Sequence, residues 1–321
     1  MKALAIPGPV VAVDIGGTKT ALLVADGTDG AAPRTDRIPT LPDEGPIPLF
    51  ARIAEAVDTL LGPEADRADV TGVGLVCPGI ATETGVLYAP HTPGWEELRV
   101  REVTGALFPG ARVAVMNDVK AAALAEARQG LLAGAGHGIY LNVGTGLSCA
   151  LVVDGTVLTG ANGAAGEIGY QAAHPAEPGV REDRAPLEET FSGAALTALA
   201  RAAAEEEGKG EGTGEDAGAG EGATAGTAFE RAATDGAFGK EVGERMERFA
   251  LAVANLAIAF DPARIVVGGG MARHDEVFTA LTAALERYVP FPPELLRSRT
   301  YDDAALTGAL IAAREAPGPG P

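Results

Sequence analysis

Cysteine is nearly missing from this chain of 321 residues: Cys77 and Cys149 stand far apart, with no CxxC spacing. That leaves no disulfide framework and no cysteine-built zinc site. Lysine is scarce, with five residues, and the formal net charge is −19. A nucleic-acid surface needs clustered Lys and Arg, so DNA and RNA are not expected as partners. A single nucleotide needs only one local site and is not excluded. Part of the acidity is local: Glu205, Glu206, Glu207, Glu211, Glu215, Asp216 and Glu221 face only Lys209 in one short stretch. Long apolar runs are lacking as well. The helical run FALAVANLAIAF contains Asn255 and is too short to span a bilayer. The start, MKALAIPGPV, is broken by Pro7 and Pro9 and makes a poor signal peptide. A cytoplasmic protein without a membrane partner is expected. Two familiar phosphate fingerprints are also absent: there is no GxxxxGK(S/T), and no GxGxxG follows a strand.

What is present suits two packed lobes or one large α/β domain. The hydrophobic fraction, 46%, is ordinary for a globular protein. Residues 9–15 and 20–25 read as two strands joined by the turn in DIGGTKT. Helical spacing marks 48–61, strands are expected at 70–79, in GVLYAP and at 111–116, and an Ala-rich helix from 119. GIYLNVGTGLSCALVVDG (138–155) then repeats the opening pattern of strand, small-residue turn and strand, with Asn142 in the place of Asp14. Such an echo is a candidate internal duplication. Residues 203–228, acidic and glycine-rich, are expected to form a surface loop with no catalytic role. A long helix to about Phe260, a strand RIVVGGG, and helices over 275–288 and 303–315 complete an α/β pattern.

Three glycine turns stand out: Gly16-Gly17-Thr18, Gly144-Thr145-Gly146 and Gly268-Gly269-Gly270. Glycine allows close backbone approach and positive φ, successive N–H groups form an anion nest, and Lys19 can add positive charge. Any one of them could be turn chemistry alone; three together, two in duplicated hairpins, point to a nucleotide site. Asn117-Asp118 follow a strand and precede a helix. Asp118 could be a general base or, equally, a helix cap. Glu167 in GAAGEIGY could accept hydrogen bonds from sugar hydroxyls or be a solvated loop acid. Glu188 and Glu189 could do the same or simply start a helix. The four histidines show no metal-ligand spacing; His91, in APHTPGW, is the one that could face a ligand.

DIGGTKT, Pro78-Gly79, APHTPGW, NDVKAAALAE, NVGTG, GAAGEIGY, PLEETFSG and DPARIVVGGG occur in the order and spacing of the ROK family. Those proteins are bacterial sugar kinases, such as glucokinase and N-acetylmannosamine kinase, and related repressors. The resemblance covers nearly the whole chain. It implies the two-lobed actin-like, hexokinase-type (ribonuclease H-like) fold, with ATP and sugar between the lobes. One lobe would be 1–116 plus 303–317, the other 117–302. By the same resemblance Asp14 lies near Mg²⁺, through water, and Gly16, Gly17, Thr18 and Lys19 near the phosphates. Gly144, Thr145 and Gly146 form the second phosphate motif, and Gly268, Gly269 and Gly270 the adenosine turn. Asp118 is the catalytic base; Gly79, His91, Asn117, Glu167, Tyr170 and Glu188 surround the substrate. Thirteen residues precede Asp14, so no DNA-binding helix-turn-helix is expected. Family members are often dimers, which by analogy allows a homodimer.

Three departures carry information. Tyr170 stands where most members have a zinc- and sugar-binding His. The usual CxCGxxGC cluster is replaced by QAAHPAEPGVREDRAPL, and His91-Thr92 replace Asn-Leu before Pro-Gly-Trp. The expectation is an ATP-dependent kinase without zinc, acting on the primary hydroxyl of an amino sugar or sugar-like cyclitol. Ordinary glucokinase and a non-catalytic sugar sensor are the alternatives.

Overall fold

The computed structural model describes residues 8–26, 32–89, 92–172, 184–210, 222–299 and 303–317. The chain forms two compact units. Met1–Ala133, Thr156–Ala165 and Asp302–Pro321 make the first; Gly134–Gly155 and Gly166–Tyr301 make the second.

In the first unit, β1 (Val10–Ile15) and β2 (Lys19–Ala25) form an antiparallel hairpin with Asp14 opposite Ala21. β3 (Arg34–Pro39) pairs along β2, while β4 (Gly72–Val76) and β7 (Arg112–Met116) run parallel on the β1 side. The order is β3-β2-β1-β4-β7. The central strands VVAV and GVGLV are apolar throughout because a parallel sheet is covered on both faces. A two-stranded ribbon, β5 (Ile80–Ala81) with β6 (Val86–Leu87), follows β4. Alternation along β1 splits the core. Val11, Val13 and Ile15 pack with Leu49, Phe50, Ile53 and Val57 of α1 (Pro46–Leu61) and with Trp95 and Phe108 near α2 (Val100–Leu107). Ala12 instead joins Val76 and small residues of α3 (Asp118–Gln129) and α9 (Ala304–Glu315). The packing there is backbone-close: a Cβ on Gly74 would lie 1.8 Å from the Ala309 carbonyl oxygen, and one on Gly308 1.8 Å from that of Ala121.

The second unit repeats the plan. β8 (His137–Val143) and β9 (Leu147–Val153) form a hairpin, and β11 (Arg264–Gly268) and β12 (Glu294–Arg297) run parallel beyond β8. β1, β2, β4 and β7 thus correspond to β8, β9, β11 and β12, which gives the duplicated hairpins expected above. β10 (Thr156–Val157) follows β9 in the chain and belongs to the first unit. The core gathers Leu141, Val143, Phe191, Phe249 and Val253. Its helices are α4 (Pro186–Thr190), α5 (Gly193–Gly210), α6 (Ala225–Ala232), α7 (Gly236–Phe260) and α8 (Asp275–Tyr288).

Two expectations need correction. The division does not fall at residue 117: α3 belongs to the first unit, because its alanines lock against α9. The acidic stretch is not a loop from residue 203. α5 continues to Gly210, and α6, with Ala228 and Phe229 buried, begins at Ala225. Residues 211–221 lie outside the described part. Among the described residues no helix is long and apolar enough to cross a membrane.

Candidate active site

The first unit brings together Asp14, the β1–β2 turn and the start of α3. Asn117 and Asp118 divide the work that the sequence left open. Asn117 is the cap: its side-chain oxygen accepts from the Lys120 N–H at 2.9 Å. Asp118, the first helical residue, is thereby freed from capping; its carboxylate accepts the neighbouring Val119 N–H, at 2.9 Å, and its own backbone N–H. Its side chain is reachable by solvent, yet protein crowds around it. The resulting desolvation raises its pKa, against the lowering pull of the backbone hydrogen bonds and of the Lys120 charge. Lys120 itself is buried, with its charge acting on Asp118, and the sequence reading passed over it. The available signal was a lone lysine inside an Ala-rich run.

Asp14, half-buried near the end of β1, is pushed up to about 6, first by burial and then by the negative charge of Asp118. Burial followed by Asp118 also lifts Cys77, to about 12, so this buried thiol is inert. Gly79 has φ 72°, and a Cβ there would meet the Leu87 carbonyl oxygen at 2.5 Å, so the turn after β4 requires glycine. Trp95 is core, packed on Phe50. His91 lies outside the described residues.

The β1–β2 turn is exposed at Gly17, Thr18 and Lys19. Gly16 and Gly17 are not in the left-handed region, so of the two uses of glycine, close approach and positive φ, the second does not apply here. A Cβ on Gly16 would sit 2.9 Å from the Lys19 carbonyl oxygen, but around Gly17 there is nothing within 4 Å. Neither backbone conformation nor internal packing calls for glycine at 17.

In the second unit, Gly144, Thr145 and Gly270 line one pocket of about 580 Å³. The pocket adds Thr197 and Arg201 of α5, Thr224 and Gly226 at the start of α6, and His274. No motif marked these residues: Thr224 and Gly226 fall in the stretch read as an acidic surface loop, and Thr197, Arg201 and His274 in none of the expected elements. His274 packs against Phe229, with ring centroids 4.8 Å apart and the rings tilted by 43°. The β8–β9 turn is held from outside: the Gly193 and Ala194 N–H groups donate to the Gly144 and Thr145 carbonyls at 2.8 and 3.1 Å. Glu188 accepts the Leu147 N–H at 2.7 Å. Glu188 therefore starts α4 and also braces this turn. Gly268 and Gly269 are required by packing, against Tyr140 and the Val143 carbonyl, with φ 84° at Gly269; Gly270 is open. Glu167 and Tyr170 sit half-buried on one short turn, where the Ser148 hydroxyl lies 3.4 Å from a Glu167 oxygen.

A profile of the ROK family matches residues 10–316. The chain belongs to the ROK family. A glucokinase of Halalkalibacterium halodurans is 33% identical over 82% of this chain and 80% of its own length. An N-acetylgalactosamine kinase of Shewanella is 30% identical, covering 94% of each. The crystal structure of a ROK family glucokinase from Streptomyces griseus, in complex with glucose and AMPPNP, superposes with a TM-score of 0.70 at 26% identity, covering 96% of this chain and 100% of that one. The fold of this ROK chain is accordingly the actin-like, hexokinase-type one, with the order β2-β1-β4-β7 of one sheet repeated as β9-β8-β11-β12 in the other.

Proposed function

We propose that the protein is an ATP-dependent kinase that phosphorylates the primary hydroxyl of a hexose-like substrate, with Asp118 as the base. The observation that carries this reading is the pair Asn117-Asp118: the cap is taken by Asn117, and an acid with a raised pKa is left open at the start of a helix. In the proposed step Asp118 accepts the proton of the substrate hydroxyl. The hydroxyl oxygen bonds to the γ-phosphorus in line, the bond from that phosphorus to the bridging oxygen breaks, and ADP leaves. By the same reading the first unit carries Asp118 as base, Asn117 as a sugar ligand and Gly16, Gly17, Thr18 and Lys19 as a phosphate motif. Within the second unit the reading gives Gly144, Thr145 and Gly270, which line its pocket, and Gly146, Gly268 and Gly269 of the same turns, to the nucleotide, and Glu167, Tyr170 and Glu188 to the sugar. The AMPPNP of the related glucokinase supports ATP as the donor.

Asp14 fits a magnesium ion. Its carboxylate is penalised by burial and by Asp118, and a dication relieves both. A lone half-buried carboxylate of this kind suits an ion held by one carboxylate, water and substrate phosphates. When bound, Mg²⁺ would neutralise charge on the transferring phosphoryl group.

For the acceptor, Tyr170 in place of the family's His and the altered stretch before Leu187 favour an amino sugar or a sugar-like cyclitol. The 33% identical glucokinase supports glucose as the second reading. ADP release measured with glucose, N-acetylgalactosamine, 3-amino-3-deoxyglucose and a valiolone-type cyclitol separates the two. The account expects a higher kcat/KM for an amino sugar or cyclitol than for glucose; glucose as the best substrate overturns the finer assignment. No ADP release with any sugar favours a sensor.

A further inference from the structure

Thr40, just beyond β3, is 1% exposed and makes three contacts with the first glycine hairpin. Its hydroxyl donates to the Gly16 carbonyl at 2.8 Å, and its N–H donates to the Thr18 carbonyl at 3.0 Å. The Thr20 hydroxyl lies 3.0 Å from the Thr40 hydroxyl. A hydroxyl has one proton; that of Thr40 is committed to Gly16, so Thr20 must donate to Thr40. Behind Thr40, the Arg52 guanidinium donates to the Thr40 carbonyl at 2.7 Å and pairs with Glu44 at 2.5 Å. Hydroxyl, hydroxyl and carbonyl form one chain, and each link polarises the next.

We propose that Thr40, backed by Arg52, is the positioning residue of the Gly16–Thr18 turn and sets its affinity for nucleotide phosphate. The reasoning is peptide geometry. The Gly16–Gly17 peptide is planar and trans, so its C=O and N–H point in opposite directions. Tying the Gly16 carbonyl inward to Thr40 turns the Gly17 N–H away from Thr40. Gly17 is exposed, and a Cβ on it would meet no atom within 4 Å, so an anion can approach this residue. The second grip, on the Thr18 carbonyl, fixes the other end of the turn. Within the turn the Gly16 N–H donates to the Lys19 carbonyl at 3.1 Å; because glycines keep wide backbone freedom, the two grips of Thr40 from outside the turn add rigidity, and a preorganised donor binds without the cost of ordering it. The inference rests on the kinase reading for its ligand and on hydrogen bonds alone for its mechanism.

The test compares wild type, Thr40→Val and Thr40→Ser as full-length proteins. AMPPNP affinity is measured by calorimetry, and kcat and KM are measured separately for nucleotide and sugar. Val keeps the shape and loses the hydroxyl; Ser keeps the hydroxyl. The expected result is AMPPNP affinity roughly tenfold weaker in Thr40→Val, the worth of one hydrogen bond, with Ser restoring it to about twofold of wild type. Nucleotide KM should rise with it while sugar KM stays unchanged. Equal affinity in Val and wild type overturns the proposal, as does an equal loss in Val and Ser, or a loss shared by both substrates and matched by a fall in melting temperature. Failure of the wild type to bind AMPPNP would instead overturn the kinase reading on which the proposal rests.

Discussion

Asp14 carries a penalty in the free protein that a bound cation would remove. Its native pKa, about 6, lies above the ordinary 3.8, so the folded state holds this proton more tightly than the unfolded chain does. The associated stability is complete below about pH 4 and is lost as pH rises through 6. The gap corresponds to at most roughly 3 kcal/mol. Asp14→Asn does not titrate. Relative to wild type it should therefore melt higher at pH 8 and gain much less at pH 4, while losing the extra stabilisation wild type gains from Mg²⁺ with AMPPNP. Thermal melting at the two pH values, with and without those ligands, checks this. A larger advantage at pH 4 than at pH 8 would contradict the sign. Asp14 and Asp118 were legible as candidates because acids at strand ends are conspicuous. The division of labour between Asn117 and Asp118 was not, since both residue types cap helices well and only the hydrogen bond to Lys120 separates them.

At the scale of elements, the glycines divide into those the fold requires and those, Gly17 among them, that it does not. Gly308→Ala puts a Cβ 1.8 Å from the Ala121 carbonyl and forces α3 and α9 apart. Urea unfolding should show a loss of at least about 2 kcal/mol, or no folded protein. Gly17→Ala meets no atom within 4 Å, so its midpoint should stay within about 0.5 kcal/mol of wild type, while AMPPNP affinity falls because the methyl occupies the space left for a phosphate. Unchanged affinity would show that the turn does not touch nucleotide. The elements that sequence periodicity revealed are the buried ones. β3 and β12 were missed because they are edge strands: Arg34, Thr35, Asp36 and Arg37 are exposed, and charge on an edge guards against stray pairing at the expense of any apolar alternation. α2 was missed for a related reason, since only Val100 and Thr104 of it are buried.

Across the whole molecule, the duplicated plan was readable from the paired hairpins, and the sheet orders bear it out. The unit boundary was not, because α3 follows a strand of the first unit without any break in composition, and only its packing on α9 shows where it belongs. The pocket of the second unit was half-legible. Gly144, Thr145 and Gly270 announced themselves as turns, whereas Thr197, Arg201, Thr224 and His274 carry no local pattern and converge only through the fold. The central claim is that this chain transfers phosphate from ATP with Asp118 as base. The most direct measurement is steady-state ADP release with Mg-ATP and the best sugar of the panel, for wild type and Asp118→Asn, alongside sugar binding to both. The account predicts turnover in wild type, a loss of at least about a hundredfold in kcat for Asp118→Asn, and sugar affinity largely retained; turnover in Asp118→Asn close to that of wild type would contradict it.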